Sequence, residues 1–339
     1  LYSNESQNGV ALLLVIFIVA LASILVLNLT YSTFIGARMN NMVERGLQAE
    51  YMLKSAVSFA RVLIKEDSSP EDGAQDLWGK FSGGTAIPLE LLGINEPNTH
   101  IELEIRPEES KFPLRAVLPI SGGEADKNWR DALVRLLESQ GFNDDGEKDH
   151  TGYFQDRVFQ SEELVAALID YMDQDSESYG PGDFAKGVES ELPEGLFPNA
   201  RILRRVGELK TIPGFTPARM RRLEPLVTIF GANIVNINLA PSAVIKALSD
   251  EMTDQQVASI LEFRKSKDGP FTFENRKERL SEILGETLYE RISPMTTVES
   301  KWFQVLAKID YQTSTYFMRA YISRTRAGEL PEIRSIELF

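Results

Sequence analysis

The sequence predicts an α+β fold: a long N-terminal helix packed on an antiparallel sheet, interrupted by a large all-helical inserted domain. Three observations predict it. Residues 10–64 hold no proline and keep a helical pattern throughout. Segments with period-two alternation occur early, around 99–120, and again only near the end, in 302–338. Between about Trp129 and Arg291 the pattern is helical.

The first element opens with Val10–Leu27, VALLLVIFIVALASILVL, apolar but for Ser23, and no charge follows until Arg38. A helix crossing a bilayer needs about 20 such residues, so residues 10–29 are expected to span a membrane. No Lys or Arg precedes the run and no small-x-small cleavage signal ends it, which favours a retained helix over a secretory signal. Beyond it Met39, Met42, Gly46, Ala49, Leu53, Ala56, Ala60 and Leu63 recur at spacings of three and four, one narrow stripe on one helix face. At 1.5 Å per residue a helix from Val10 to Ile64 is about 80 Å long. Its far half must therefore pack on something outside the bilayer: its own globular part, or similar helices of neighbouring subunits. The small residues favour close approach to a sheet or another helix.

After the helix, EDSSPEDGAQ carries Pro70 and Gly73 and reads as a loop. Half-buried strands are expected at Thr99–Arg106, Arg115–Ile120, Trp302–Asp310, Thr315–Ser323 and Ile333–Leu338. Helices are expected at Trp129–Ser139, Gln160–Tyr171, Pro217–Thr228, Pro241–Leu248, Asp254–Ser266 and Asn275–Leu284. The organisation is then a leader remnant at 1–9, the span at 10–29, an α/β domain from 30–124 and 300–339, and an inserted helical domain at 125–299.

Composition narrows the function classes. Fifty acidic against 36 basic residues give a net charge of −14 over 339 residues, which disfavours nucleic acid as a partner. There is no cysteine, and the two histidines, His100 and His150, are far apart. No Ser/His/Asp ordering, Walker loop or zinc-type His-Glu pattern is present, and Glu162-Glu163 reads as a hydrated pair, so no catalysis is assigned.

One acidic stretch draws a chemical reading. Asp170, Asp173 and Asp175 close a predicted helix and are followed by Gly180-Pro181-Gly182, Glu189 and Glu191. Carboxylates on a flexible loop can converge to supply the six to eight oxygen ligands calcium takes; a solvated acidic loop is the plainer alternative. The spacing is not that of an EF-hand.

Stretches Glu208–Thr216, Ile237–Pro241, Ile260–Arg264 and Gly269-Pro270-Phe271 look like helix-hairpin-helix or SAM-like units of membrane-tethered DNA receptors. Such hairpins offer backbone N–H groups to phosphates. Here Gly214-Phe215-Thr216 lacks a second glycine and Ser249–Asp254 is acidic, so a structural or protein-binding role is expected, with Arg219–Arg222 on an exposed helix face.

Gly9 followed at once by Val10-Ala11-Leu12-Leu13-Leu14 resembles the type IV prepilin signature, in which a prepilin peptidase cuts after the glycine and leaves the helix in place. The cut would free Val10. The fifth residue after it, usually glutamate, is Leu14, and the K subunit among secretion pseudopilins characteristically lacks that glutamate. A basic leader, usual in the family, is missing from LYSNESQNG, and because the chain starts with Leu1 it is expected to be truncated at its start. Lys111–Val117, Leu168–Asp175 and Val235–Ala240 also resemble, in order, stretches of the type II secretion system minor pseudopilin K family, the general secretion pathway protein K. The resemblance implies a pilin-like fold for the helix and sheet. It implies a single-pass protein of the bacterial inner membrane with its globular part in the periplasm and a methylated amino terminus. It implies minor pseudopilins I and J and other pseudopilins as partners, joined through the stripe of Met39, Met42, Gly46, Ala49, Leu53, Ala56, Ala60 and Leu63, and a place at the pseudopilus tip supporting filament initiation and export across the outer membrane. It also implies calcium on Asp170, Asp173, Asp175 and Glu189 of Gly187-Val188-Glu189, with Glu191 nearby and Ser190 standing where the family has an acid.

Overall fold

The computed structural model describes residues 5–96, 99–119, 123–198, 202–326 and 328–339. Helix α1, Glu5–Lys65, is a single unbroken rod. Its membrane-facing part can cross a bilayer by length and composition, and the apolar window there is wholly uncovered by protein. With no proline inside it, nothing breaks the i to i−4 ladder until the loop after Lys65. The remaining helices are α2 (Lys127–Ser139), α3 (Ser161–Met172), α4 (Pro217–Leu223), α5 (Ser242–Ala247), α6 (Asp254–Phe263), α7 (Arg276–Leu284) and α8 (Glu286–Ile292). The strands are β1 (Thr85–Pro88), β2 (His100–Pro107), β3 (Phe112–Pro113), β4 (Val227–Thr228), β5 (Val235–Asn236), β6 (Thr296–Thr297), β7 (Trp302–Tyr311), β8 (Ser314–Ser323) and β9 (Glu332–Leu338).

The five-stranded sheet has the order β1-β2-β7-β8-β9, antiparallel throughout. Alternation does what the sequence requires of it: Ile101, Leu103 and Ile105 of β2, Phe303, Val305, Ala307 and Ile309 of β7, and Met318, Ala320 and Ile322 of β8 all point to one buried face. Helix α1 lies on that face. Ala49, Leu53, Ala56 and Ala60 are fully buried there and Leu63 nearly so. The three alanines let the rod approach the sheet closely, as small residues do wherever backbones must come near one another. Gln48 accepts a 2.9 Å hydrogen bond from Tyr311, and Arg61 Nε donates to Pro331 O at 2.7 Å, so polar contacts pin the rod on both flanks.

This corrects the expectation that the whole stripe packs on partner subunits. Ala49, Leu53, Ala56, Ala60 and Leu63 are consumed by the chain's own sheet, and Gly46 sits at its margin with Tyr316 4.0 Å from where a Cβ would be. Met39 and Met42, 62% and 71% exposed, are the stripe residues still open to another molecule.

A second, separate core belongs to the insertion: α2, α3 and the short helices pack around Leu133, Leu137, Leu164, Leu168, Ile212 and Ile245. Its boundary departs from the expected 124/125. Phe112, Leu114, Ala116, Val117 and Leu118 are buried in the helical core, so the crossing falls just after β2. The return crossing lies between Val298, in the second core, and Phe303, in the first.

The expected strand at Arg115–Ile120 is instead a 3-10 turn over Leu114–Ala116, and Ile120 lies outside the described residues. Ala116, Val117 and Leu118 are buried in succession, and Leu114 two residues before them is buried too, so no alternating solvent face is left for a strand to present. Helix α4 ends at Leu223, not Thr228, because Pro225 cannot continue it; a 3-10 turn leads into β4. Strand β1 escapes detection because four residues ending in proline carry too little alternation to read.

Candidate functional site

The acidic loop is built on the end of α3. Glu163 accepts from the Gln160 amide at 2.8 Å and starts the helix, whose residues from Leu164 to Met172 are all buried. Asp170 is therefore only 1% exposed, and a charge in that position must be matched by donors. It is matched by backbone: its carboxylate accepts from Tyr179 N and Val188 N at 2.6 Å each and from Glu189 N at 2.9 Å. Both ends of the loop are thus stapled to one side chain. Gly187 makes this possible, since a Cβ there would lie 2.1 Å from Asp170 Oδ2.

The staple delivers Glu189 to Asp173. Asp173, Asp175 and Glu189 each present a carboxylate oxygen, all within 4.8 Å of one another. Asp173 Oδ1 and Glu189 Oε2 are buried without any hydrogen-bond partner. Burial, then the charges of Asp175, Asp170 and Glu189, push Asp173 up to about 8. Burial, then Asp170 and Asp175, push Glu189 up to about 7. Burial also raises Asp170, against the pull of its three amide donors. Such mutual repulsion between desolvated carboxylates is what a bound cation relieves. The donor set is all hard oxygen, which fits calcium, and the two orphaned oxygens aim at no group of the protein.

Two expected ligands are placed elsewhere. Asp170 is the staple, both oxygens committed to amides, and Glu191 turns out toward Arg157, whose Nη1 is 3.5 Å from its Oε2. Ser190 closes the loop by giving its amide to Ser178 Oγ at 2.9 Å. The loop's outer turn is tied to α2, where Arg130 stacks 4.1 Å above the Phe184 ring and donates to Tyr179 Oη at 3.0 Å.

The hairpin at Gly214 is occupied from within. Gly214 N donates to Asp149 Oδ1 at 3.1 Å, and Phe215 and Thr216 are buried. Arg219, expected on an exposed face, is fully buried and paired with Asp145 at 2.7 Å, with further bonds to the carbonyls of Phe142 and Gly214. Burial opposes ionisation of Asp145, yet hydrogen bonds from Arg219, Glu147 N and Arg222 hold it down to about 2. Sequence reasoning missed this pair because Asp145 is 74 residues from Arg219, and a run of arginines reads as a solvated face until its partner is known.

At the other end of the chain, α1 runs without a break through Gly9 and Val10; residues 1–4 of the expected leader remnant lie outside the described residues. Leu14 sits in the uncovered apolar segment, 57% exposed.

A membrane-length helix whose far half packs on an antiparallel sheet gives a pilin-like fold, and the large helical insertion narrows it. Residues 110–232 match the family model described as type II secretion system protein K. A type II secretion system protein K of Escherichia coli strain K12 is 26% identical over 237 residues, covering 70% of this chain and 66% of its own length. The fold is similar to a chain in the crystal structure of the GspK-GspI-GspJ complex from the enterotoxigenic Escherichia coli type 2 secretion system. The TM-score is 0.65 at 14% identity, over 88% of this chain and 99% of that one. Residues 110–232 thus carry a similarity to protein K of type II secretion systems, and the fold over most of the chain is that of a solved relative.

Proposed function

We propose that the chain is a minor pseudopilin of the pseudopilus tip, anchored once in the bacterial inner membrane with its globular part in the periplasm. There it supports filament initiation and protein export across the outer membrane. The observation that carries this reading is α1 itself: one rod, bare and apolar at one end, built into a folded sheet at the other. Such a subunit can leave the bilayer only as part of an assembly that offers its apolar half other helices. The bulky insertion is most easily housed where no further subunit stacks above it. On this reading a prepilin peptidase cuts between Gly9 and Val10, the new amine is methylated, and Leu14 in place of a glutamate removes the partner for the amine of an adjoining subunit. Subunits of the I and J kinds, named in the complex whose fold it shares, are its immediate partners. Calcium sits on Asp173, Asp175 and Glu189 and locks the loop against α2. A DNA-receptor role is less well supported, since the amide that would meet phosphate at Gly214 is engaged by Asp149.

Extraction of the native protein from bacterial membranes, with mass spectrometry of its amino terminus and of co-purifying subunits, tests the proposal. The expected result is a start at a methylated Val10 together with I- and J-type subunits. An uncut leader, or cleavage beyond Thr30 with no pseudopilin alongside, would sink it.

A further inference from the structure

The loop that follows α1 gathers three acids at the joint between the two cores. Asp67, Asp72 and Asp76 each present a carboxylate oxygen, and the three atoms lie within 4.8 Å of one another. Short bonds hold the loop in this shape: Ser69 N donates to Asp67 Oδ1 at 3.2 Å, and Gly73 N to Asp76 Oδ2 at 2.8 Å. Asp72 reaches across the joint. Its carboxylate accepts from Ser300 N at 2.5 Å, its amide donates to Val298 O at 2.8 Å, and its carbonyl accepts from Asn236 Nδ2 at 3.4 Å.

Charge and hydrogen bonding both fall short here. Among the described residues the cation in contact with the three acids is Arg324, whose Nη2 lies 2.6 Å from Asp72 and whose Nη1 lies 3.4 Å from Asp67. One guanidinium against three carboxylates leaves two negative charges uncompensated. Asp72 Oδ1, on a side chain that is 0% exposed, meets no hydrogen-bond donor. Arg324 and Ser300 both bind its other oxygen, so the deficit sits on that one atom. A buried carboxylate oxygen without a donor is costly, and such an atom in a native fold is accounted for by a water or an ion. Neutral water does not answer the two surplus charges.

We propose that Asp67, Asp72 and Asp76 bind a divalent cation of the calcium class, through the Asp72 oxygen that Arg324 does not use, and that this ion ties the end of α1 to the returning segment 298–302. Three carboxylates with no imidazole or thiolate suit a hard cation over a transition metal. The site is separate from the loop on α3, which belongs to the helical core, whereas Asp67 is bonded to Trp78 of the sheet core.

Trp78 also supplies the test. Its indole N–H donates to Asp67 Oδ2 at 3.1 Å, so a terbium ion held by the three acids lies within range of energy transfer from the ring. Terbium is added to the full chain in detergent micelles, carrying Asp173→Asn so that the α3 loop does not compete. The expected result is saturable, tryptophan-excited terbium emission that excess calcium displaces. Adding Asp72→Asn should weaken terbium binding about tenfold or more, through loss of one charged ligand. Asp76→Asn, which leaves the bond from Ser300 to Asp72 in place, should do the same, so the result does not hang on the folding of one variant. Emission that excess calcium does not displace, or that both added substitutions leave unchanged, overturns the proposal. So does the absence of sensitised emission from the Asp173→Asn chain, in which case Asp72 Oδ1 holds water alone.

Discussion

Asp170 and Asp173 stand one helical turn apart and do opposite things. Asp170 spends its charge on three amides of the loop, whereas Asp173 keeps an oxygen with nothing to meet it. Substituting each should therefore give results of different sign. Asp173→Asn removes a carboxylate that ionises only at about 8, so above that pH and without calcium its melting temperature is expected to exceed the wild type's, and the shift produced by calcium at this loop should vanish at any pH. In the wild type, calcium at a hundred times its dissociation constant is worth about 2.7 kcal/mol. A wild-type melt that millimolar calcium or chelator does not move would remove the metal from this loop. Asp170→Asn, by contrast, should lower the melting temperature with or without calcium. Gly187→Ala should act like it, costing about 1–3 kcal/mol through the clash with Asp170. The acids of the loop were legible in the sequence; their division of labour was not. Helical spacing puts Asp170 on the buried face only once one knows that α3 is buried nearly all round, and that depends on residues 203–248 arriving from far along the chain.

At the scale of elements, α1 divides at about Gly46. Leu53→Ala, under the sheet, should destabilise the globular part by about 2–5 kcal/mol. Met42→Ala should change its melting within about 0.5 kcal/mol, since Met42 is exposed, while weakening recovery of partner subunits from membranes. Equal loss of stability from both would contradict the division. The rod and β2, β7, β8 and β9 were readable because each carries its period over seven residues or more. What the stripe faces was not readable, because Ala49, Ala56 and Ala60 suit a sheet as well as a neighbouring helix, and periodicity records only that a face is buried. The turn at Leu114–Ala116 was misread for a related reason: alternation in LRAVLP is accidental when every apolar member is buried by a fold that forms around it.

For the molecule as a whole, two cores imply two units of stability. Arg219 and Asp145 belong to the helical unit, and Arg219→Ala removes the buried partner of Asp145, leaving it Arg222 and the Glu147 amide, and leaves the carbonyls of Phe142 and Gly214 unmet, a change worth up to about 3–5 kcal/mol. Calorimetry of that variant should show the helical unit melting earlier while the sheet keeps its own transition; a single transition shifted as a block would mean the units are coupled more tightly than their cores suggest. Since Asp145 is held at about 2, its contribution is present above the ordinary carboxylate range and is lost only as pH falls toward 2.

Pro107 at the end of β2 lies directly opposite Phe303 at the start of β7. The two ends of a segment nearly two hundred residues long thus emerge side by side, as the ends of an ordinary hairpin would. In engineering language the insertion is a cassette plugged into a turn: excising it and bridging the gap with a few residues should leave a small scaffold whose strand order is unchanged. The same geometry lets the head be enlarged, exchanged or tagged without disturbing the stalk that carries it.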